Sequence, residues 1–323
     1  MQLEISEQKK DDLLSVIQSD FPIVSRPFKE IAEKIGLSER EVINAIIYLR
    51  DESVIRAFGP VFEARKLGYV STLIAANVDP NRITDIATAM IDINEITHNY
   101  LREGYYNLWF TITAFNTEIQ DKILDRIKTF AGVRSILNLP AKKVFKINAV
   151  WGTPNSKKAV FDIESAVVPF EESEKKLVRL LQNEFPIIEK PFAAFAGSIN
   201  MKESEIIETV KSWLANGVIR RFGARLSHKK IGYNVNILVA WAGEDVDTWG
   251  EKFAEMEQIS HCYLRKSYDE WPFELYTMIH ARTEKEADNT ISAMKKIARG
   301  ATMKRLKTLY ELKKTSMKYF MEE

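Results

Sequence analysis

The chain repeats itself, and this duplication limits its fold more than any other feature. Pro22 corresponds to Pro186 and Gly68 to Gly232, an offset of 164 residues in both cases. Four pairs of strings carry the repeat: Phe21-Pro22-Ile23 with Phe185-Pro186-Ile187, Pro27-Phe28 with Pro191-Phe192, Ile55–Gly59 with Ile219–Gly223, and Leu67-Gly68-Tyr69 with Ile231-Gly232-Tyr233. Similarity at a fixed period indicates a structural unit that is present more than once. We therefore expect two homologous halves with the same elements in the same order.

Each half opens with a pattern of three short helices. In the first copy, Pro27 is typical of the first turn of a second helix, and Ser38 with Glu41 forms a capping box at the start of a third. Val54-Ile55-Arg56 and a Gly59-Pro60 turn follow. This order, which recurs in the second copy, predicts a winged helix-turn-helix module in each half.

The rest of each half predicts the order β-α-β-β-α-β, a ferredoxin-like antiparallel sheet with helices on one face. Two such sheets usually pack face to face, which would enclose a cleft between the halves. The sequence thus predicts an α+β fold with internal duplication, each half being a winged helix-turn-helix followed by a ferredoxin-like domain. The predicted boundaries are 1–66 and 67–151 for the first half, 152–172 for a linker, and 173–231 and 232–323 for the second half.

One duplicated string combines residues that carry chemistry. It is His98-Asn99-Tyr100-Leu101-Arg102 in the first half and His261-Cys262-Tyr263-Leu264-Arg265 in the second. Alternate side chains of a strand share a face, so each copy would present His, Tyr and Arg together. The chain has four histidines, and two of them occupy these equivalent places. The string therefore indicates a site that pairs proton transfer with anion binding.

Composition excludes several other classes. One cysteine, Cys262, excludes an internal disulfide framework and a multi-cysteine metal cluster. No G-x-G-x-x-G or P-loop string is present, which argues against a nucleotide-binding site. No stretch reaches about 18 apolar residues, and the N-terminus lacks the apolar core of a signal peptide, so we expect a cytoplasmic protein without membrane contact.

The helical module followed by an α+β unit resembles the Lrp/AsnC family of transcription regulators. That family binds DNA with a helix that needs basic side chains facing the bases. Here the candidate reading helix, residues 38–51, has two arginines against three acids and the apolar string Ala45-Ile46-Ile47. The sequence therefore argues against DNA as a partner, although Arg56, Arg220 and Arg221 could contact phosphates. The alternative function is a regulator of this type that senses a tetrapyrrole.

Longer strings resemble the siroheme decarboxylases, the Ahb and Nir proteins. His98–Arg102 with Tyr106–Thr111 is similar to one subunit type, and Ser260–Arg265 with Trp271–His280 to the other. The resemblance implies removal of CO2 from the C12 and C18 acetates of siroheme, giving 12,18-didecarboxysiroheme in heme or heme d1 biosynthesis. It also implies an internal heterodimer of fused halves, open to further self-association. Siroheme and its product would be the partners, with no cofactor beyond the iron-containing substrate.

The resemblance implies roles for ten side chains. Four residues would be catalytic: His98, His261, Tyr100 and Tyr263. Either histidine could instead be an axial ligand of the siroheme iron. No separate metal site is expected. Six residues would bind substrate: Arg102, Arg265, Trp109, Trp271, Tyr276 and His280. His280 has Thr113 as its first-half counterpart, so it would serve one acetate only. Structural roles remain the alternative, above all for the aromatic residues. We assign His228 a structural role, and a non-catalytic tetrapyrrole carrier stays open.

Overall fold

The computed structural model describes residues 5–147 and 166–321. In the first half the elements are α1 (Glu7–Ser19), α2 (Pro27–Ile35), α3 (Glu39–Asp51), β1 (Ile55–Phe62), β2 (Val70–Val78), α4 (Ile83–Ile91), β3 (Ile96–Arg102), β4 (Leu108–Ala114), α5 (Thr117–Lys128) and β5 (Val133–Ile147). In the second half they are α6 (Glu172–Leu181), α7 (Ala193–Ile199), α8 (Glu203–Ala215), β6 (Ile219–Leu226), β7 (Val235–Ala242), α9 (Val246–Glu255), β8 (Ile259–Arg265), β9 (Leu275–Ala281), α10 (Glu284–Ile297) and β10 (Thr302–Lys314). The predicted order therefore appears twice. Most of the predicted linker, residues 152–165, lies outside the described residues.

The helical modules form where the sequence predicts them. Pro27 lies in the first turn of α2, where its missing N–H leaves no unsatisfied bond. At the start of α3, Ser38 accepts a hydrogen bond from the Glu41 N–H at 3.3 Å, and the Glu41 carboxylate accepts one from the Ser38 N–H at 2.7 Å. This confirms the capping box and fixes the first residue of the helix.

The two helical modules share one apolar core. Phe21 stacks on Phe222 of the other half with 5.5 Å between ring centroids, and Phe58 stacks on Phe185 at 5.8 Å. All four rings are buried. Aromatic pairs of this kind contribute about 0.5–1.5 kcal/mol each beyond the area they bury. The repeated Phe-Pro-Ile string is therefore the centre of an interface between the halves.

The predicted turn at Gly59-Pro60 is wrong. Both residues lie inside β1, which pairs antiparallel with β6 of the other half, so that Gly59 faces Gly223. A strand can continue through Pro60 because the two-stranded ribbon leaves one side of each strand without a partner strand. Each module thus contributes one strand to a ribbon shared by both halves, in place of a separate wing.

The remaining eight strands close into one antiparallel barrel with the order β10-β3-β4-β2-β5-β8-β9-β7. Two long strands join the halves: β5 pairs with β2 and then with β8, while β10 pairs with β7 and then with β3. Each half therefore donates its last strand to the edge of the other sheet. The duplicated α+β fold is confirmed, and the facing sheets are joined at both edges.

Helices cover the outside of the barrel. Apolar residues of α4 and α5 pack on the first sheet and those of α9 and α10 on the second. A third core lies between the sheets and draws on both halves, including Trp109, Leu137, Leu238 and Trp271. Within the described ranges, no helix is long and apolar enough to cross a bilayer.

Candidate active site at one end of the barrel

The two predicted histidines meet at the end of the barrel that adjoins the helical modules. Val70, the first residue of β2 after the first module, pairs with Ala114 at the end of β4, so this end of the sheet lies next to the module. His98 lies near the start of β3, opposite Lys314 in β10. His261 lies near the start of β8, opposite Ile147 in β5. The strand exchange thus brings a residue of one half beside the histidine of the other.

Each His-Tyr-Arg string presents its three side chains as a stack. The His98 and Tyr100 rings are 6.4 Å apart, and the Arg102 guanidinium lies 5.0 Å from the Tyr100 ring centroid. In the second copy His261 and Tyr263 are 6.2 Å apart, with Arg265 at 4.5 Å from the Tyr263 centroid. The intervening Cys262 is buried in the outer core, its thiol donating to the Gly250 carbonyl at 3.6 Å. Burial raises the pKa of this thiol, which keeps it protonated and unreactive.

The other two histidines join the same region. The hydroxyl of Ser260 lies 2.9 Å from His261 Nδ1 and 3.0 Å from His280 Nδ1. His228 packs edge-on against His280 with 5.3 Å between centroids, and Lys314 donates to His228 Nδ1 at 3.1 Å. Sequence reasoning missed His228, because nothing in its local string shows that residues after β6 fold back onto the barrel.

Burial and cations both favour neutral imidazoles. Burial, helped by Lys314 and Arg56, lowers the pKa of His98 from 6.5 to about 3. Burial and Arg220 lower the pKa of His261 to about 4. Both rings are therefore neutral at pH 7 in the substrate-free protein, and this part of the chain attracts anions.

Ribbon arginines supply much of this positive charge. Arg56 of β1 interacts electrostatically with Tyr100 and Glu311, and Arg220 of β6 with His261 and Tyr263. Burial lowers the pKa of Arg56, although the residue as a whole is exposed. Both arginines thus lie within electrostatic range of the His-Tyr-Arg strings, and Arg220 also lies 3.7 Å from the Glu63 carboxylate, which offsets part of its charge. Arg221 instead donates to the backbone carbonyls of Gln18 and Ala224, a structural role.

The tyrosines and arginines of the two strings are held in the barrel wall. Burial raises the pKa of Tyr100 and of Tyr263, so both remain protonated. Arg102 Nη1 donates to Thr308 Oγ1 at 2.7 Å, and Arg265 Nη1 to the Leu139 carbonyl at 2.9 Å. Their Nε atoms are buried and have no hydrogen-bond partner within residues 5–147 and 166–321. These two N–H groups are therefore buried polar donors whose hydrogen-bonding capacity is unused in this part of the structure.

The predicted aromatic lining fills the opposite end of the barrel. Trp109 donates to the Tyr106 carbonyl at 2.7 Å, and Trp271 donates to the Tyr276 hydroxyl at 2.7 Å. Trp109 and Trp271 are buried and lie 6.0 Å apart. Their contacts are those of core residues, although Tyr276 also lies 6.0 Å from the Arg265 guanidinium. This cluster closes the barrel beneath the histidines.

Fold and site together define a class: duplicated proteins in which a helix-turn-helix module precedes an AsnC-like α+β domain. Family models agree with this division. The AsnC-like ligand binding domain matches residues 66–146 and 230–314. The siroheme decarboxylase NirDL-like HTH domain matches residues 10–56 and 174–220.

Individual relatives define the family. A siroheme decarboxylase of Hydrogenobacter thermophilus is 32% identical, covering 97% of this chain and 95% of the relative. The siroheme decarboxylase alpha and beta subunits of Desulfovibrio desulfuricans are 43% and 40% identical over 44% and 47% of this chain, and 82% and 97% of those subunits. The crystal structure of the siroheme decarboxylase NirDL in complex with an iron-uroporphyrin III analogue aligns with a TM-score of 0.72 at 26% identity, covering 97% of this chain and 95% of that one. The chain belongs to the siroheme decarboxylase family.

Proposed function

We propose that this protein decarboxylates siroheme at the C12 and C18 acetates, giving 12,18-didecarboxysiroheme. One observation carries the proposal: two His-Tyr-Arg strings, one from each half, converge at a single end of the barrel among basic side chains. Siroheme presents acetates and propionates around its rim, and this arrangement offers cations to bind them and imidazoles to transfer protons.

The reaction needs an electron sink and a proton donor. When an acetate loses CO2, the electron pair of the broken C–C bond remains on the methylene carbon and is delocalised into the macrocycle. A proton must then reach this carbon to form a methyl group. His98 and His261 are the proposed donors, with Tyr100 and Tyr263 beside them as relay or stacking groups. A neutral imidazole of either histidine could instead ligate the iron of the substrate.

Substrate binding would bring negative charge to a site in which cations predominate. Arg56, Arg220 and Lys314 are the cations that lower the pKa values of the histidines. Substrate carboxylates bound to these groups would offset their charge and raise the histidine pKa values towards neutrality. The substrate would therefore help to charge its own proton donors. Arg102 and Arg265, each with an unshared Nε in the described structure, are further proposed carboxylate contacts.

The two halves would act as unlike partners in one chain. The residue that corresponds to His280 in the first half is Thr113. Its hydroxyl lies at hydrogen-bond distance, 3.0 Å, from the Ser71 hydroxyl. The halves therefore offer the two acetates different surroundings. The regulator alternative is less supported, because Ala45 and Ile46 of the candidate reading helix are buried and its Arg50 pairs with Glu184 of the other module.

Anaerobic incubation with siroheme, followed by mass spectrometry of the tetrapyrrole, tests the proposal. We expect loss of two molecules of CO2 with the wild-type protein. His98→Ala and His261→Ala should reduce the rate by at least about 100-fold, the usual contribution of a positioned proton donor. Lys122→Ala, a change at an exposed ion pair on α5, is the matched control and should retain wild-type activity. Unchanged siroheme with the wild-type protein would refute the proposed activity, and full activity in both histidine variants would refute the site.

A further inference from the structure

A directed chain of hydrogen bonds ends at His261. Arg102 Nη1 donates to Thr308 Oγ1 at 2.7 Å, and the Thr308 hydroxyl donates to Asn236 Oδ1 at 2.9 Å. Asn236 Nδ2 lies 3.0 Å from His280 Nε2, and Ser260 Oγ lies 3.0 Å from His280 Nδ1. The same hydroxyl lies 2.9 Å from His261 Nδ1. The chain begins in β3 of the first half and continues through the second half.

The chemistry of the first members fixes the direction of the rest. A guanidinium only donates, so Thr308 must use its own hydrogen towards Asn236 and hold the amide oxygen on that side. The amide nitrogen of Asn236 then donates to His280 Nε2. His280 is neutral and must carry its proton on Nδ1, which donates to Ser260.

The Ser260 hydroxyl can donate its hydrogen bond to either of two acceptors. It can donate to His261 Nδ1 at 2.9 Å, which leaves His261 neutral with its proton on Nε2. Alternatively it can donate to the Met278 carbonyl at 3.3 Å and accept a hydrogen bond from His261 Nδ1–H, which suits a doubly protonated ring. Ser260 therefore has a hydrogen-bond arrangement for each protonation state of His261.

The first half lacks a second hydrogen-bond arrangement of this kind. Thr97, the counterpart of Ser260, bonds His98 Nδ1 at 2.9 Å, and the Thr97 side chain is buried. Across the described ranges its hydroxyl has no second side-chain or carbonyl acceptor. Thr97 must donate to His98 Nδ1 to keep its hydrogen bonded, and a doubly protonated His98 would leave that hydrogen unsatisfied.

We propose that Asn236, His280 and Ser260 are positioning residues that make His261 the better supported of the two proposed proton donors, His98 and His261. The inference rests on the proposed decarboxylation. In the proton-transfer step, Nε2 of doubly protonated His261 gives its proton to the methylene carbon that holds the electron pair left by CO2. The products are CO2, a methyl group and neutral His261, which takes its next proton from water. Ser260 turns towards Met278 when His261 is charged.

Histidine ¹⁵N NMR of the substrate-free protein at pH 7 tests the chain directly, with signals assigned from single His→Gln variants. Lys314 donates to His228 Nδ1, so we expect three rings protonated on Nε2 and only His280 on Nδ1. Ser260→Ala should give His261 a mixture of tautomers, whereas the matched variant Thr97→Val should alter His98 alone. A wild-type His280 protonated on Nε2 would overturn the chain.

Decarboxylation rates of the same variants test the assignment of the donor. Ser260→Ala should lower the rate by about 10- to 100-fold, a typical effect of losing a supporting hydrogen bond. Siroheme affinity, measured by absorbance titration, should change less than twofold, and Ser260→Thr should restore the rate. Equal losses in Ser260→Ala and Thr97→Val would overturn the proposal. The NMR measurement needs no substrate, so it decides the hydrogen-bond chain even if the wild-type protein leaves siroheme unchanged, which would refute only the proposed function.

Discussion

At the scale of single residues, the candidate site contains four uncharged histidines among cations. Burial is the first cause of the low pKa of His228, which is about 4, as it is for His98 and His261. Glu311 is the nearby acid that opposes this effect at His228. A region with this balance stabilises a polycarboxylate better than a neutral ligand. We therefore propose that the ribbon arginines bind the substrate beside the strand histidines, which are the proposed proton donors.

Arg56→Gln and Arg220→Gln test this view of the ribbon. Each change removes a cation from the candidate site, so we expect siroheme affinity to fall by about 10-fold or more, in line with a lost charge-assisted hydrogen bond. The loss should shrink at high salt, because salt screens the attraction that the arginine contributes in the wild-type protein. Absorbance titration at low and high ionic strength measures both effects.

Lys211→Gln provides the control for the arginine variants, because Lys211 pairs only with Glu208 on an exposed helix face among the described residues. Affinity in this variant should match the wild type. If Arg56→Gln and Arg220→Gln bind siroheme as tightly as Lys211→Gln, the ribbon does not contact the substrate.

Part of the site could be predicted from the sequence. The two-residue period of a strand is enough to place His98, Tyr100 and Arg102 on one face. The contribution of Arg56 and His228 could not be predicted, because it depends on how the ribbon packs against the barrel, and no local pattern encodes that contact. Local periodicity therefore identifies the chemistry of a strand but misses side chains that arrive from another module.

At the scale of elements, the ribbon of β1 and β6 connects the helical core to the site. Its strands place Phe58 and Phe222 among the helices and Arg56 and Arg220 beside the barrel. The ribbon also passes close to α1: a Cβ atom at Gly223, whose φ is +146°, would lie 2.1 Å from the Ile17 carbonyl oxygen. Only glycine fits this approach.

Gly223→Ala should therefore destabilise the protein strongly. The new methyl group would force the ribbon and α1 apart in a conformation already strained for alanine, so we expect a loss of about 3 kcal/mol in the free energy of unfolding. Urea denaturation followed by circular dichroism measures it.

Gly197→Ala is the matched control, because this glycine lies in α7 with no atom within 4 Å of the added Cβ. Replacing a helical glycine there should stabilise the protein by up to about 1 kcal/mol. Similar unfolding free energies for the two alanine variants would show that the approach of the ribbon to α1 is not tight.

At the scale of the whole molecule, the site exists only when both halves are assembled. The helical modules share one core, and β5 and β10 each complete the sheet of the other half. Duplication and the two-domain halves followed from the repeat and from the element pattern. The exchange of β5 and β10 between the sheets could not be predicted from the sequence. A strand that pairs first with one partner and then with another has the same sequence pattern as any long basic strand.

Assembly around neutral histidines makes stability depend on pH. The folded-state pKa values of about 3 to 4 at His98, His228 and His261 lie below the unfolded value of 6.5. The unfolded chain therefore binds protons first as the pH falls. Stability should be constant above about pH 6.5 and decrease between pH 6.5 and 5, by about 1.4 kcal/mol per pH unit for each histidine that stays neutral when folded.

Urea denaturation at pH 7.5, 6 and 5 measures this slope, and most carboxylates remain ionised over that range. His228→Gln should reduce the slope of unfolding free energy against pH by the contribution of one histidine, about 1.4 kcal/mol per pH unit. An unfolding free energy that is the same at pH 7.5 and pH 5 would contradict the description of the histidines as neutral.

The exchanged strands also bear on how such a site is assembled reliably. Two similar halves can pair wrongly, like with like, and such a pair would hold two copies of the Ser260–His280 arrangement or none. Joining unlike halves in one chain fixes their ratio at one to one and raises their local concentration far above that of separate chains. Because the two halves of this chain are joined covalently, every molecule contains one His98 beside Thr97 and one His261 beside Ser260 and His280.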